Sequence, residues 1–292
     1  MPMYLHEDET LRIERALGQT VKSAERIQGR GYTNNRRWIV RLADDRTAFV
    51  KHADDAVTAE WLRREYEVYD ALRLDVVPRV LGWHDDGELP VLVLEDLSDG
   101  EWSPPWSKGK IDAVLATLRA VAGHEAPPGL PTARSTHMGE DNWPEVAADP
   151  KPFLSLGLCS AAWLDRALPV LLEAARPEQL DGDSLLHLDV RSDNLCFREG
   201  RAFLFDWNHA AVGNAQFDVA FWLPSLRLEG GPAPEEVASV PPELAALVAG
   251  FFAARAGLPL IPQAPMVRDI QRRQLEVALP WAARALGLPA PS

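Results

Sequence analysis

The stretch Leu185-Leu186-His187-Leu188-Asp189-Val190-Arg191-Ser192-Asp193-Asn194-Leu195-Cys196-Phe197-Arg198-Glu199-Gly200-Arg201-Ala202-Phe203-Leu204-Phe205-Asp206-Trp207-Asn208 decides how the chain is read. Short apolar runs at 185–186, 195–197 and 202–205 bracket a polar loop, and the last run ends abruptly on a carboxylate. A strand stopping at Asp206, next to a loop that carries Asp189 and Asn194, gathers three oxygen ligands or bases at one edge of a small sheet. Hard divalent cations take carboxylate and amide oxygens, so the pattern predicts a magnesium–phosphate site.

Composition bounds what can surround that edge. The chain has 292 residues, enough for one large domain or two lobes of ordinary size. Its 47% hydrophobic and 25% charged residues read as an ordinary globular protein. Thirty Lys and Arg against 43 Asp and Glu give a net charge of −13, which argues against nucleic-acid binding, since that needs a basic footprint. An acidic balance suits a cationic small-molecule partner, although many acidic proteins have none. Cys159 and Cys196 are far apart and form no ligand pattern, so neither a disulfide framework nor a zinc site is expected. The first residues lack an apolar signal core and no apolar run is long enough to span a bilayer. The expected setting is cytoplasmic, away from membranes.

Outward from the central stretch, the N-terminal part reads as strands around one helix. A short helix over 8–17 is followed by a glycine-containing, turn-rich loop, Gln28 to Asn35. Alternation through Arg37–Leu42 and Thr47–Lys51 about the Asp44-Asp45 turn predicts a hairpin. Apolar residues near helical spacing predict a helix over 57–73. Strands are expected over 77–83 and 92–97. From residue 98 the pattern turns helical, with helices expected near 108–123, 160–175, 216–227, 242–256 and 266–286. The segment 126–152, with six prolines, reads as a long loop. No internal repeat is visible. The fold class is therefore α+β, with a β-rich lobe over 1–97 and a mainly helical lobe over 98–292.

The order of these features resembles the aminoglycoside phosphotransferase family, a small-molecule branch of the two-lobed protein-kinase-like fold. His187-Leu-Asp189 with Asn194 is similar to the family's His-x-Asp-x-x-x-x-Asn loop. Leu204-Phe205-Asp206-Trp207 is similar to its metal-binding strand, and Gly213 with Phe217-Asp218-Val219-Ala220 to the Gly and Asp-Leu-Ala that follow. The resemblance runs over roughly 20–285, with its specific motifs concentrated in 187–220. It implies an ATP-dependent, Mg²⁺-requiring transfer of a phosphoryl group to a small-molecule hydroxyl.

It also implies residue roles. Asp189 would orient the acceptor hydroxyl and take its proton, while Asn194 and Asp206 would hold Mg²⁺ against the phosphates. Lys51 would hold the α- and β-phosphates, with Glu65 as its ion-pair partner. Gly31, Thr33 and Asn34 would touch the β- and γ-phosphates, although an ordinary hairpin turn explains the same glycine-containing loop. Glu95 and Leu97 would present backbone groups to the adenine, and Val93, with Leu94, would line the base. His187 is expected to brace the loop, as is Asp218 from the next helix. Arg191 stands where protein kinases carry Lys and many aminoglycoside kinases carry His. It could stabilise charge on the transferring group or pair with a carboxylate such as Asp193. Asn208-His209 replaces the usual acidic continuation after Asp-Trp, so the resemblance does not by itself imply an aminoglycoside pocket, and the expected acceptor is an aminoglycoside-like antibiotic, an amino sugar or a related alcohol. No peptide-platform signature such as Ala-Pro-Glu follows Asp206, which favours a small acceptor. Two rival readings are a nucleotide-binding module without turnover and a metal-dependent hydrolase using Asp189 and Asp206.

Overall fold

The computed structural model describes residues 5–27, 36–140, 142–261 and 264–292. In chain order the elements are α1 (Glu7–Leu17), β1 (Val21–Arg26), β2 (Arg36–Leu42), β3 (Thr47–His52), α2 (Ala56–Ala71), β4 (Val80–His84), β5 (Val91–Glu95), α3 (Lys108–Ala122), α4 (Asn142–Ala148), α5 (Lys151–Leu154) and α6 (Ala161–Ala174). They continue with β6 (Ser184–Leu186), β7 (Leu195–Arg198), β8 (Arg201–Leu204), β9 (Ala211–Gly213), α7 (Phe217–Leu228), α8 (Pro234–Val237), α9 (Pro242–Ala256) and α10 (Val267–Ala285). None of the described helices is long and apolar enough to cross a membrane. By packing, one compact unit takes in Met1–Ser103 and Asp193–His209, and the other Pro104–Ser192 and Ala210–Ser292. The fold is the expected mixture, a β-rich unit and a mainly helical one.

The first unit is built on an antiparallel five-stranded sheet of order β1-β2-β3-β5-β4. Side chains alternate between its faces. Trp38, Val40 and Leu42 on β2, Ala48 and Val50 on β3, and Val91 and Val93 on β5 point to one face, where Ile13 of α1 closes a core. Arg37, Ile39, Phe49, Lys51 and Leu94 occupy the opposite face. The register fixes their neighbours: Arg37 pairs with Lys51, Ile39 with Phe49, and Phe49 with Leu94. Helix α1 ends on Gly18 at φ 65°, where the lack of a Cβ makes the left-handed turn inexpensive. Helix α2 starts at Asp55, whose carboxylate accepts from the Thr58 N–H at 2.8 Å and satisfies a donor left over from the first turn.

A second strand pair joins this unit from far along the chain. β7 and β8 form a tight hairpin in which Arg198 pairs with Arg201 across Glu199-Gly200. Both turn residues have positive φ, 53° and 73°, as a type I′ turn requires and as glycine at the second position favours. The hairpin is tied in by the Leu204 N–H donating to the Val76 carbonyl at 2.9 Å and by a bridge between Glu101 and Phe197. Contact therefore divides the chain differently from the expected cut after residue 97. Residues 193–209 group with the N-terminal sheet, because their hydrogen bonds go there.

The second unit is helical, apart from the short β6–β9 pair. Helix α9 is buried nearly all round, as an apolar helix without a polar face must be. The proline-rich 126–152 segment is not a bare loop. Its α4 and α5 pack on α9, and Trp143, Val146 and Phe153 are buried there, with Trp143 Nε1 donating to the Ala246 carbonyl at 2.9 Å.

Candidate active site

Lys51 is the centre of the first unit's polar chemistry. It is 3% exposed, on the sheet face opposite the α1 core. Its Nζ donates to both oxygens of Glu65, at 2.7 and 2.8 Å, and to Asp206 Oδ1 at 2.9 Å. Glu65 reaches it because α2 lies against the sheet with Glu65 on its buried side. Burial disfavours the Lys51 ammonium, but the Asp206 and Glu65 carboxylates outweigh it and raise its pKa. Burial pushes Glu65 up to about 7 despite the lysine, and the Asp206 carboxylate adds to the rise. Two carboxylates thus share one ammonium, and an incoming cation or phosphate can redistribute that charge.

Asn194 and Asp206 meet because their hairpin pairs them. Leu195 lies opposite Leu204, so the residues just outside the pair, Asn194 and Phe205, fall at the same end, and the Phe205 N–H donates to the Asn194 carbonyl at 3.2 Å. Asp206 follows immediately at φ 72°, a left-handed conformation that side chains with a Cβ adopt at a cost. Its backbone N–H donates to Tyr69 Oη, 3.3 Å away on α2. The donor set fits a divalent metal carried in with phosphates: one carboxylate and one amide oxygen, which is what Mg²⁺ ordinarily takes from protein when phosphate and water fill the rest. Among the described residues no group of three or more His, Cys, Asp or Glu forms an all-protein metal cage.

Lys51, Asn194 and Asp206 all line one cavity of about 500 Å³, within the range of small-molecule sites. Every described lining residue belongs to the first unit. Phe49, Leu94, Trp102 and Phe205 give it apolar walls, and Trp102 meets Phe205 edge-on with centroids 5.8 Å apart. Arg37 and Tyr69 also line it. Sequence reading did not single out Phe49, Arg37, Tyr69 or Trp102. The first two carry a usable signal, since Phe49 lies two residues before Lys51 and Arg37 pairs across from it, both on the lysine's face.

Glu95 and Leu97 lie where the chain leaves the sheet along the cavity margin. The Glu95 carboxylate is held by Arg79, at 3.1 Å, and by Arg198. The side chain therefore serves the scaffold, and the strand's main chain is what remains for a ligand. The Leu97 carbonyl accepts from the Gly100 N–H at 3.0 Å and from Cys196 Sγ at 3.4 Å. Val93 corrects the expectation that it lines the base. It is fully buried on the α1 side of the sheet with Val50, and Leu94, one residue on, faces the cavity. Gly31, Thr33 and Asn34 lie outside the described residues.

In the second unit the loop after β6 is held by Asp218, the second residue of α7. Its buried carboxylate accepts from the His187 N–H at 2.7 Å and the Leu188 N–H at 2.8 Å, with Leu188 at φ 61°. Burial raises the Asp218 pKa to about 6, against the pull of those two donors. His187 Nδ1 accepts from the Asp189 N–H at 3.2 Å, which assigns the ring proton to Nε2. Arg191 pairs with Asp189 at 3.2 Å. The loop's other end is fixed by Glu229, which accepts from Ser192 Oγ at 2.5 Å and Trp106 Nε1 at 2.9 Å. Backbone bracing by Asp218 and His187 therefore sets the direction of Asp189.

The model of the phosphotransferase enzyme family, APH, matches residues 25–259. Comparison with the curated proteins returned no match. Among solved structures, a choline/ethanolamine kinase family protein from Mesorhizobium loti superposes with a TM-score of 0.59 at 16% identity, covering 90% of this chain and 91% of its own. Spectinomycin phosphotransferase in complex with ADP and spectinomycin gives 0.57 at 11%, with 98% and 99% covered. A macrolide 2′-phosphotransferase from Brachybacterium faecium gives 0.52 at 19%, with 96% and 90% covered. At these identities the likeness is one of fold.

Proposed function

Because the chain belongs to the APH phosphotransferase family, we propose that it transfers the γ-phosphoryl group of ATP to a hydroxyl of a small molecule. The observation that carries this reading is Lys51, buried between Glu65 and Asp206 on the wall of an apolar-sided cavity of nucleotide size. In that reading Lys51 grips the α- and β-phosphates, and Glu65 keeps its ammonium aimed. Leu94 and Phe49 flank the base, and the main chain at Glu95–Leu97 offers it hydrogen bonds. Asn194 and Asp206 would hold Mg²⁺, which neutralises charge on the β- and γ-phosphate oxygens when bound. The acceptor oxygen forms a bond to the γ-phosphorus, the bond to the β–γ bridging oxygen breaks, and ADP leaves. The acceptor's proton goes to the Asp189 carboxylate. Arg191, 3.2 Å from Asp189, is suited both to orienting that base and to meeting charge on the phosphoryl group. The arrangement works by positioning and electrostatics, with no covalent intermediate required.

The acceptor class we infer is a hydroxylated small molecule. A coupled ADP-release screen with Mg²⁺–ATP tests the reading, run against aminoglycosides, other hydroxylated antibiotics, amino sugars and choline-like alcohols. Acceptor-dependent ADP release that disappears in Asp189→Ala supports it. Nucleotide binding without turnover on any class would favour the rival, a nucleotide-binding module. Phosphate release without an acceptor would favour a hydrolase.

A further inference from the structure

Helix α2 touches the site's residues twice, at Lys51 through Glu65 and at Asp206 through Tyr69, and the phosphotransferase reading uses only the first contact. Glu65 and Tyr69 are one turn apart, so both side chains leave the same face of the helix. Glu65 holds Lys51. Tyr69 is buried, lines the cavity, and its hydroxyl oxygen accepts from the backbone N–H of Asp206 at 3.3 Å. That N–H lies two residues beyond the last registered pair of β8. It also belongs to a residue at φ 72°, a conformation that persists only where the surroundings hold it. In an extended conformation the Asp206 side chain would leave the backbone in a different direction. Contact with the hydroxyl therefore bears on where the carboxylate points.

We propose that Tyr69 is a positioning residue for the Asp206 carboxylate, fixing its backbone from the same helix that holds Lys51. The inference rests on the phosphotransferase reading, in which Asp206 holds the divalent cation. One rigid helix would then set both the phosphate-gripping lysine and the metal-holding carboxylate, and a shift of α2 would disturb the two together. Its consequence is specific: losing the hydroxyl weakens metal use while nucleotide contacts made through Lys51 and the apolar walls stay in place.

Tyr69→Phe deletes one oxygen and keeps the ring. ADP binding is measured calorimetrically in EDTA and across a Mg²⁺ series, with Tyr66→Phe as control. Tyr66 lies on the same helix but stacks on Trp83, with centroids 4.2 Å apart. The expected result is ADP affinity in EDTA within about twofold of wild type and a half-saturating Mg²⁺ raised about fivefold, the factor an ordinary hydrogen bond is worth. Tyr66→Phe should match wild type in both. Asp206→Ala separates the two possible failures. If it leaves the Mg²⁺-dependent gain intact, the metal role of Asp206 fails and the Tyr69 inference falls with it. If Asp206→Ala abolishes the gain but Tyr69→Phe leaves half-saturation unchanged, the inference alone is overturned. A Tyr69→Phe chain that does not fold would make the hydroxyl a structural requirement and overturn the inference as well.

Discussion

Replacing Lys51 with Met tests the Lys51–Glu65–Asp206 assembly through stability alone, before any acceptor is known. Glu65 is 1% exposed, and both its oxygens are taken by Lys51. Burial raises its pKa from an ordinary 4.5 to about 7 even with the ammonium beside it, and without the ammonium it must lie higher. Folded Lys51→Met therefore keeps a proton on Glu65 at pH 7 that the unfolded chain has released. A carboxyl raised in the folded state contributes stability that is full below pH 4.5 and is lost as pH rises toward and through 7. At ~1.4 kcal/mol per pH unit the loss reaches about 3 kcal/mol by pH 7. Adding Glu65→Gln removes the titrating group and leaves a neutral pair, which is far less costly to bury than one uncompensated charge. The double variant should thus exceed Lys51→Met in stability by about 3 kcal/mol at pH 7 and by less than ~1 kcal/mol at pH 5. Urea denaturation of both proteins across pH 5 to 7.5 reads the difference directly. Parallel curves over that range would refute the reasoning, because they would mean that Glu65 carries no unpaired burial cost once Lys51 is gone.

Three further outcomes follow from named contacts. Asp189→Ala should lower acceptor-dependent turnover by a factor on the order of 10²–10⁴, with ADP affinity by calorimetry within about twofold of wild type; a large loss of affinity would move Asp189 into nucleotide binding. Leu94→Ala should raise the KM for ATP several-fold, whereas Val93→Ala, on the other face of β5, should cost about 2 kcal/mol of stability in urea and leave that KM alone. Asp218→Ala strips two buried backbone N–H groups of their acceptor and should cost about 3 kcal/mol in urea denaturation, together with most of the turnover, because the Asp189 loop loses its brace.

What the sequence could and could not reveal depends on how local each feature is. The hairpin carrying Lys51 was legible because alternation and the Asp44-Asp45 turn agree, and the helix carrying Glu65 because its apolar residues recur at helical spacing. Val93 was assigned to the wrong face because β5 is an interior strand whose residues 91–94 are all buried. A strand apolar on both faces shows no alternation from which to tell one side from the other. β1, Val21-Lys-Ser-Ala-Glu-Arg, is a polar edge strand without a pattern of its own, and its pairing with β2 is what defines it. The 126–152 segment read as loop because its prolines outweighed its short apolar groups. Yet Pro144 and Pro152 sit in the opening turns of α4 and α5, where a missing N–H costs nothing. Tyr69 read as one more apolar residue of α2, and its hydroxyl acquires meaning only when Asp206, 137 residues away, arrives beside it.

The same non-local step explains the division of labour within the loop and strand motif. Asp189 and Asn194 are five residues apart, yet packing assigns Asp189, with its braces His187 and Asp218, to the helical unit, and Asn194, with Asp206 and Lys51, to the sheet unit. The chain passes from one unit to the other between Ser192 and Asp193. Groups that would hold nucleotide and metal thus draw their stability from the five-stranded sheet and α2, and Asp189, the proposed base, draws its stability from α7. Damage to either set should be separable by measurement. Variants at Lys51 or Glu65 should register in ADP binding, those at Tyr69 or Asp206 in its Mg²⁺ dependence, and those at Asp189 or Asp218 in turnover with binding preserved. A variant at Asp218 that weakened ADP binding as much as turnover would show that the brace acts on the nucleotide site, and the separation would fail.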